Sequence, residues 1–267
     1  MLVNAPATAD PYSVGAVRLL IGGATLAAVA ASRRSPRMAM RTTVVGAIGV
    51  AVFQLCYFLA VGRTGVAVGT VATIGSGPMF AGLIAAAIDR RAPPARWLIG
   101  TGLGIGGVAL LGLMGRGATV DTAGIALAFS AGFGWAVFAT VGKHQIQRGR
   151  DSTASMAAMF SGGAVLLAPL LVWHHPNWVA SGSGILVALY LGVATVGVAY
   201  TLYGYALRHL TTPSVVTLTL LEPITAATLG AVVVHERILA IGWVGICLVL
   251  VGLVLVAYTD DRVETPS

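Results

Sequence analysis

One carboxylate, Glu222, lies in the middle of an apolar run that extends from residue 212 to residue 234. A charged side chain at such a depth is costly in a lipid bilayer, and intramembrane carboxylates are functional by default. Burial favours the protonated form, so Glu222 is a candidate for carrying a coupling proton or for meeting a cationic group on a substrate. The alternative is a neutral Glu222 that hydrogen-bonds a neighbouring helix and only supports the structure.

A second group of candidates combines aromatic rings with one amide. Gln54, Tyr57 and Phe58 are spaced three and four residues apart, so a helix would present them on one face. Tyr200 and Tyr203 form a similar face in a later apolar run. Such a wall suits a small organic solute. The same rings could instead fill the core of a helix bundle or lie at a membrane interface.

Four more residues complete the candidate set. Thr219 shares a helix face with Glu222, and Trp135 is predicted either to pack in the core or to line a cavity. Pro78 and Pro223 each remove a backbone hydrogen bond and bend a helix, which makes them candidate hinges, although static kinks explain them equally well. The predicted substrate-binding residues are therefore Gln54, Tyr57, Trp135, Tyr200, Tyr203, Thr219 and Glu222.

Other polar groups suggest no catalytic chemistry. Arg18 lies about one turn inside the first apolar run, where it either extends to the outer headgroups or faces a cavity and attracts anions. His174 and His175 would need more ligands nearby to hold a metal. The glycines from Gly100 to Gly107 lack both the preceding strand and the Lys-Ser/Thr ending of a phosphate loop. We therefore expect no metal, no cofactor and no catalytic residue.

The composition indicates what kind of elements position these residues. Of the 267 residues, 57% are hydrophobic and only 9% are charged, and the mean hydropathy is +0.89. Because soluble domains carry about 25% charged residues, the chain is predicted to be an all-α integral membrane protein. Nine apolar runs are long enough to span a bilayer, at residues 13–32, 42–62, 66–88, 97–115, 122–142, 153–173, 184–206, 212–234 and 239–258.

The basic residues predict the orientation of these spans. Twelve Lys and Arg residues lie in one alternating set of loops and the tail, whereas three lie in the other set. By the positive-inside rule, the N-terminus lies outside and the C-terminus is cytoplasmic, in a multi-pass protein of the cell membrane. The net charge of +7 resides in these short clusters, so no nucleic-acid partner is expected.

The chain also repeats itself with an offset of 145 residues. This offset matches Arg63 with Arg208, Pro78 with Pro223, Gly100 with Gly245, and Gly107 with Gly252. Matching helices are five apart, an odd number, so the two copies point in opposite directions across the membrane. We predict the copies at residues 1–116 and 117–259, followed by a cytoplasmic tail at residues 260–267. The helix at 122–142 lacks a partner, so either one helix has been lost or the start has been placed too late.

Three stretches resemble the EamA-type transporters of the drug/metabolite transporter superfamily. They are PYSVGAVRLL at residues 11–20, YALRHLTTPSVVTLTLLEP at residues 205–223, and His235-Glu236-Arg237 followed by Gly242-Trp243-Val244-Gly245. The resemblance implies a ten-helix fold of two inverted five-helix repeats, here without the first helix. It also implies a secondary transporter, an exporter of small metabolites such as amino acids or drug-like compounds, and not an enzyme.

Two other functions remain as alternatives. A membrane-embedded enzyme acting on lipid-linked substrates would need clustered carboxylates, histidines or a nucleophile with its base, and the sequence has no such cluster. A non-transporting, truncated partner subunit is suggested by the unmatched helix. The expected partners are a small-molecule substrate, membrane lipid and a second copy of the chain in a homodimer.

Overall fold

The computed structural model of the protein describes residues 10–33, 40–112, 121–222, 225 and 240–260. Within these ranges all regular elements are helices, and no strand occurs. The helices found there are α1 (Pro11–Ala31), α2 (Met40–Val66), α3 (Val68–Asp89), α4 (Ala95–Gly112), α5 (Thr122–Gln147), α6 (Ser152–Trp173), α7 (Gly182–His209), α8 (Thr212–Leu218) and α9 (Ala240–Asp260). Each of them begins within two residues of a predicted position. Most of the predicted eighth helix after Glu222, including Pro223, lies outside the described residues.

Six of the described helices are long and apolar enough to cross a membrane, namely α1, α2, α3, α5, α6 and α7. The apolar helices α4 and α9 are shorter. Large apolar side chains also lie on the outside of the helices, for example Val165 and Leu186, which are 72% and 69% exposed. Such a surface suits lipid rather than water. The protein is therefore an all-α membrane protein, as predicted.

Aspartate side chains mark where two of the helices begin. Asp10 accepts a hydrogen bond of 3.2 Å from the backbone N–H of Ser13 at the start of α1. Asp151 does the same for the N–H of Ala154, at 2.9 Å, at the start of α6. These bonds satisfy N–H groups that have no acceptor within their own helix. Both helices therefore start where a polar cap can remain at the membrane boundary.

The break between α2 and α3 is made by a glycine. Gly65 has φ of 83° and ψ of 163°, a conformation that residues with a side chain rarely adopt. Pro78 lies inside α3 and is buried, and the helix continues through it. The hinge role of Pro78 stays a prediction, whereas the change of direction in this part of the chain occurs at Gly65.

An ion pair joins the end of α2 to the start of α5. Arg63 Nη1 lies 3.3 Å from Asp121 Oδ2, and Asp121 Oδ1 accepts the backbone N–H of Ala123 at 3.0 Å. The hydrogen bond from Ala123, together with the guanidinium of Arg63, holds the pKa of Asp121 below its ordinary value. Asp121 is therefore ionised at neutral pH, and a negative charge there is favourable at the N-terminus of a helix.

The chain forms two compact units, and each takes segments from both sequence repeats. The first unit comprises residues 1–59 and 137–209, and the second comprises residues 60–136 and 210–267. Repeat partners thus belong to the same unit. The first unit contains α1, α6, α7 and most of α2, and the second contains α3, α4, α8 and α9. Helix α5 contributes to both units. The division into repeats at residues 1–116 and 117–259 stays a prediction about the sequence.

Glycines let α4 and α9 approach closely in the second unit. A Cβ atom built on Gly100 would lie 2.7 Å from the carbonyl oxygen of Gly252, and one built on Gly107 would lie 2.5 Å from that of Gly245. The 145-residue offset matches Gly100 with Gly245 and Gly107 with Gly252. Replacing each glycine of one contact by its match therefore gives the other contact. A two-fold axis between inverted copies produces such self-complementary pairs of contacts.

The substitution Gly107→Ala places a methyl group against the Gly245 carbonyl, so we expect it to destabilise the protein by about 1–3 kcal/mol. Gly106→Ala is the matched control, because nothing lies within 4 Å of its Cβ position. Alanine is a better helix former than glycine by about 0.8–1 kcal/mol. The two substitutions should therefore shift the Tm of the purified protein in opposite directions. Equal shifts would contradict the close packing of α4 on α9.

Candidate functional site

Arg18 on α1 binds side chains of two other helices of the first unit. Its Nε donates to the Thr195 hydroxyl at 3.0 Å, and its Nη2 lies 3.4 Å from the Thr195 carbonyl oxygen. Its Nη1 donates to Gln54 Oε1 at 3.3 Å. The guanidinium carbon also lies 5.8 Å from the centroid of the Phe58 ring, within the range of a cation–π interaction. Arg18 therefore points at α2 and α7 rather than along α1 towards the headgroups.

Among the described residues, no carboxylate balances the charge of Arg18. In the described part of the chain, no Asp or Glu oxygen lies within 4.0 Å of its guanidinium. Its hydrogen bonds use three of the five N–H donors that an arginine carries. Arg18 is half-buried, so its neighbours do not enclose it. Cations within a membrane normally pair with an anion or serve a substrate or ion, which makes Arg18 a candidate functional residue.

Helix α7 is wound as a π-helix from Tyr190 to Val198. Segments of this kind are rare, mostly short, and frequently located at functional sites. Thr195, which accepts two of the Arg18 hydrogen bonds, belongs to this segment. The equivalent residues of α2 under the 145-residue offset, 45–53, are α-helical. Of these two matching segments, only the one in α7, which contains Thr195, is irregular.

An aromatic cluster extends from this polar group through the first unit. Phe138 lies at its centre, with ring centroids 5.8 Å from Tyr200 and 6.1 Å from Tyr203. On its other side, Phe53 lies 6.0 Å from Phe138 and also 6.0 Å from Tyr57. Tyr57 in turn contacts Phe58, whose ring lies beside Arg18, at a centroid distance of 5.4 Å. The cation and the rings thus form one continuous group of contacts.

Four of the predicted substrate-binding residues belong to this group: Gln54, Tyr57, Tyr200 and Tyr203. Gln54 is 1% exposed, and its Nε2 has no hydrogen-bond partner in the described part of the chain. The three tyrosines are half-buried. The sequence did not identify Arg18 and Thr195 as their neighbours. The structure brings the four residues together, and their contact with a substrate stays a prediction.

The other predicted site residues lie in the second unit. Trp135 is 6% exposed, and its ring lies 3.1 Å from the position of a Cβ atom on Gly77. The half-buried Thr219 donates its hydroxyl to the carbonyl oxygen of Val216 at 2.6 Å. Glu222 is exposed. Trp135 thus packs within this unit and Glu222 lies at its surface, and contact of Trp135, Thr219 and Glu222 with a substrate stays a prediction.

A cavity of about 520 Å³ lies in the second unit, between the α3–α4 connection and the start of α8. Its walls include Asp89, Ser214 and Trp97, whose buried Nε1 has no hydrogen-bond partner among the described residues. None of the residues that line it was predicted to bind substrate. Pro93 and Pro94 indicate a turn at this place, but no feature of the sequence indicates a cavity.

A second polar cluster joins the start of α1 to the α6–α7 connection. His174 Nδ1 lies 3.0 Å from Asp10 Oδ2, and the imidazole stacks on Tyr12 with ring centroids 4.4 Å apart. Trp178 Nε1 donates to the Ser13 hydroxyl at 3.0 Å. Across the described ranges, no three His, Cys, Asp or Glu side chains come together as a metal site would require. This cluster ties together three segments of the first unit.

The sequence resembles those of membrane transporters. The model of the EamA-like transporter family matches residues 3–113 and 122–258. The Bacillus subtilis (strain 168) protein described as "Uncharacterized transporter YwfM" is 34% identical over 264 residues, which cover 98% of this chain and 89% of that protein. An "Uncharacterized transporter" of Clostridium kluyveri is 27% identical over 144 residues, 53% of this chain and 46% of its own.

A solved structure, described as "Crystal structure of protein", has the same fold. It superposes with a TM-score of 0.81, covering 99% of this chain and 94% of its own. The sequence identity is 19%, so this likeness concerns the fold alone.

The Arg18 hydrogen bonds can be tested with two threonines of α7. Both Thr195 and Thr201 donate their hydroxyls to a carbonyl oxygen one turn earlier, at 2.6 and 2.8 Å, but only Thr195 also accepts from Arg18. Thr195→Val should lower the Tm of the purified protein, because losing a hydrogen bond to a charged group costs about 1.5–3 kcal/mol. Thr201→Val should have a smaller effect. An equal decrease of the Tm in both variants would show that the hydrogen bond from Arg18 to the Thr195 hydroxyl does not stabilise the protein.

Proposed function

The chain belongs to the EamA-like transporter family, and on that premise we propose that it is a secondary transporter that exports small organic solutes across the cell membrane. The observation that carries this proposal is the continuous group formed in the first unit by Arg18, Gln54 and the aromatic cluster. Sites for small organic molecules combine apolar and aromatic walls with a few polar groups that orient the ligand. The proposal includes no catalytic step.

The chemistry of the cluster supports an organic solute. Tyr57, Tyr200 and Tyr203 are half-buried, so each ring retains some accessible surface. Tyrosine offers an apolar ring and a polar hydroxyl, which suits a ligand with both kinds of group. We therefore propose amino acids or drug-like compounds as substrates and these tyrosines as part of their binding wall, together with Gln54.

Glu222 is proposed as the proton-coupling residue. It is exposed in the second unit, and its backbone N–H donates to the carbonyl oxygen of Thr219 at 2.9 Å. A carboxylate exposed to acyl chains would be costly, so a water-filled path is the favoured environment for this side chain. Alternating access would change the solvation of Glu222, with Pro78 and Pro223 as proposed hinges.

Transport is tested in proteoliposomes that carry the purified protein, with protein-free liposomes as the blank. Solute efflux should exceed the blank for members of a panel of amino acids and aromatic amines, and it should respond to an imposed pH gradient. Glu222→Gln should retain membrane insertion but lose the pH dependence, because an amide cannot carry the proton.

Asp89→Asn is the matched control for Glu222→Gln. It also removes one negative charge, but from the exposed end of α3. We expect this variant to keep the wild-type pH profile. If Glu222→Gln transports with an unchanged profile as well, the coupling role is wrong. If the wild-type protein moves no member of the panel faster than the blank, the transport proposal itself fails.

The proposed orientation places the C-terminus in the cytoplasm. It can be tested in a variant in which Cys56 and Cys247 are replaced by alanine. A cysteine introduced by Ser181→Cys should react with an impermeant thiol reagent on intact cells, because the α6–α7 connection is predicted to lie outside. One introduced by Arg148→Cys should react only after permeabilisation. The reverse pattern would invert the topology. Arg34, an equivalent labelling position, lies outside the described residues.

A further inference from the structure

We propose that Arg18 binds a carboxylate group of the solute, so that this protein selects substrates with an oxyanion next to an apolar or aromatic body. The inference rests on the proposed function where it names the bound molecule a substrate. The binding site itself is argued from the contacts of Arg18 and does not depend on transport.

The charge of Arg18 has no anionic partner among the described residues. Its hydrogen-bond acceptors are a hydroxyl, a carbonyl oxygen and an amide oxygen, all of them uncharged. They satisfy part of the guanidinium and hold it in place, but they do not neutralise it. The described residues leave two N–H donors unused, and a guanidinium binds carboxylates through two parallel hydrogen bonds with high geometric specificity. An anionic group on a ligand would supply the missing charge.

The amide of Gln54 contacts Arg18 and carries a donor that the described residues do not use. Its oxygen accepts from Arg18, which assigns the other end of the same group as the NH₂ donor. This Nε2 is buried and has no acceptor among the described residues. A buried donor without a partner costs about 1–3 kcal/mol. An oxyanion bound at Arg18 would be close to this donor, so one ligand group can satisfy both residues.

The inverted repeat contains an equivalent helix contact without an arginine. Under the 145-residue offset, Arg18 matches Gly163 and Thr195 matches Val50. The matching residues are also in contact, since a Cβ atom on Gly163 would lie 3.0 Å from Cγ1 of Val50. The same helix contact is thus made in the other copy by a glycine and an apolar side chain. The packing of these helices does not require a cation, so Arg18 is an addition that calls for another role.

The neighbouring rings favour an organic anion over a lipid headgroup as the source of the oxyanion. The Phe58 ring lies beside the guanidinium, and the aromatic cluster continues from there into the first unit. An aromatic or apolar body attached to a carboxylate could contact these rings while its charge binds Arg18. A lipid phosphate would bring two acyl chains that belong outside the bundle.

The test measures binding to purified protein in nanodiscs of phosphatidylcholine. The probes are 3-phenylpropanoate and its neutral analogue 3-phenylpropanamide, which differ in charge but hardly in size. We expect the wild-type protein to bind the carboxylate about ten- to a hundredfold more tightly, the range that corresponds to a hydrogen bond with a charged partner. Arg208→Gln removes an exposed cation at the end of α7 and should preserve this preference.

Gln54→Glu is the decisive variant. The new carboxylate would occupy the position of an amide oxygen that already lies 3.3 Å from Arg18 Nη1, so an internal ion pair would replace the ligand. We expect the preference for the carboxylate to disappear while the Tm is maintained or raised. Arg18→Lys keeps the charge but cannot form the bidentate hydrogen bonds of a guanidinium. It should reduce the preference for the carboxylate probe without abolishing it. This second variant keeps the inference testable if Gln54→Glu fails to fold.

Several results would overturn the inference. They are equal binding of the two probes, no binding of either, or an unchanged preference in Gln54→Glu and Arg18→Lys. Stabilisation that depends on Arg18 and appears only in phosphatidylglycerol nanodiscs would assign the site to a lipid instead. Flux of the same probes in proteoliposomes is measured separately. Binding at Arg18 without any flux would refute the transport proposal and leave the anion site standing.

Discussion

A guanidinium group within a membrane needs acceptors for its N–H groups and a counterpart for its charge, and this requirement organises the first unit. Arg18 on α1 obtains its acceptors from α2 and α7, through Gln54 and Thr195. If those N–H donors had no acceptors, the loss in free energy would exceed what any single apolar contact contributes. The three helices are therefore held in register by polar bonds, while the surrounding apolar contacts are non-directional. The π-helical segment of α7 contains both acceptor atoms of Thr195, which links the irregular backbone to the cation.

The second unit follows a different constraint, the close approach of helices. Lipid tails are as apolar as leucine, so helices in a membrane associate through tight packing and hydrogen bonds rather than through the hydrophobic effect. The contacts of Gly100 and Gly107 with α9 use this principle, and they are related by the repeat. The inverted copies therefore do not behave as two separate domains. Partners from the two copies share a unit, as the two-fold relation between α4 and α9 illustrates.

The bilayer explains why so much of this fold could be predicted from the sequence. A span of about 20 apolar residues is required to cross it, and so hydropathy alone predicts where each of the described helices begins. The partners of Arg18 could not be predicted in the same way, because Thr195 and Gln54 lie 177 and 36 residues away along the chain. The sequence left two orientations open for this arginine, and only the packing of α1 distinguishes them. The break at Gly65 lies in the gap predicted between the runs 42–62 and 66–88, although the glycine that makes it was not singled out.

The inverted repeat separates the residues that build the scaffold from those that carry chemistry. Glycines at the α4–α9 contact are present in both copies, because close packing makes the same demand on each. The two charged groups proposed to have a function are each present in one copy: Arg18 matches Gly163, and Glu222 matches Gly77. A scaffold with two equivalent halves can alternate between two similar states, but a solute with one anionic group needs only one cation to hold it. Charge in a membrane is costly, so a second arginine at position 163 would add that cost without a ligand group to offset it. The asymmetry of the polar residues is therefore what a symmetric transporter scaffold with a single binding site should contain.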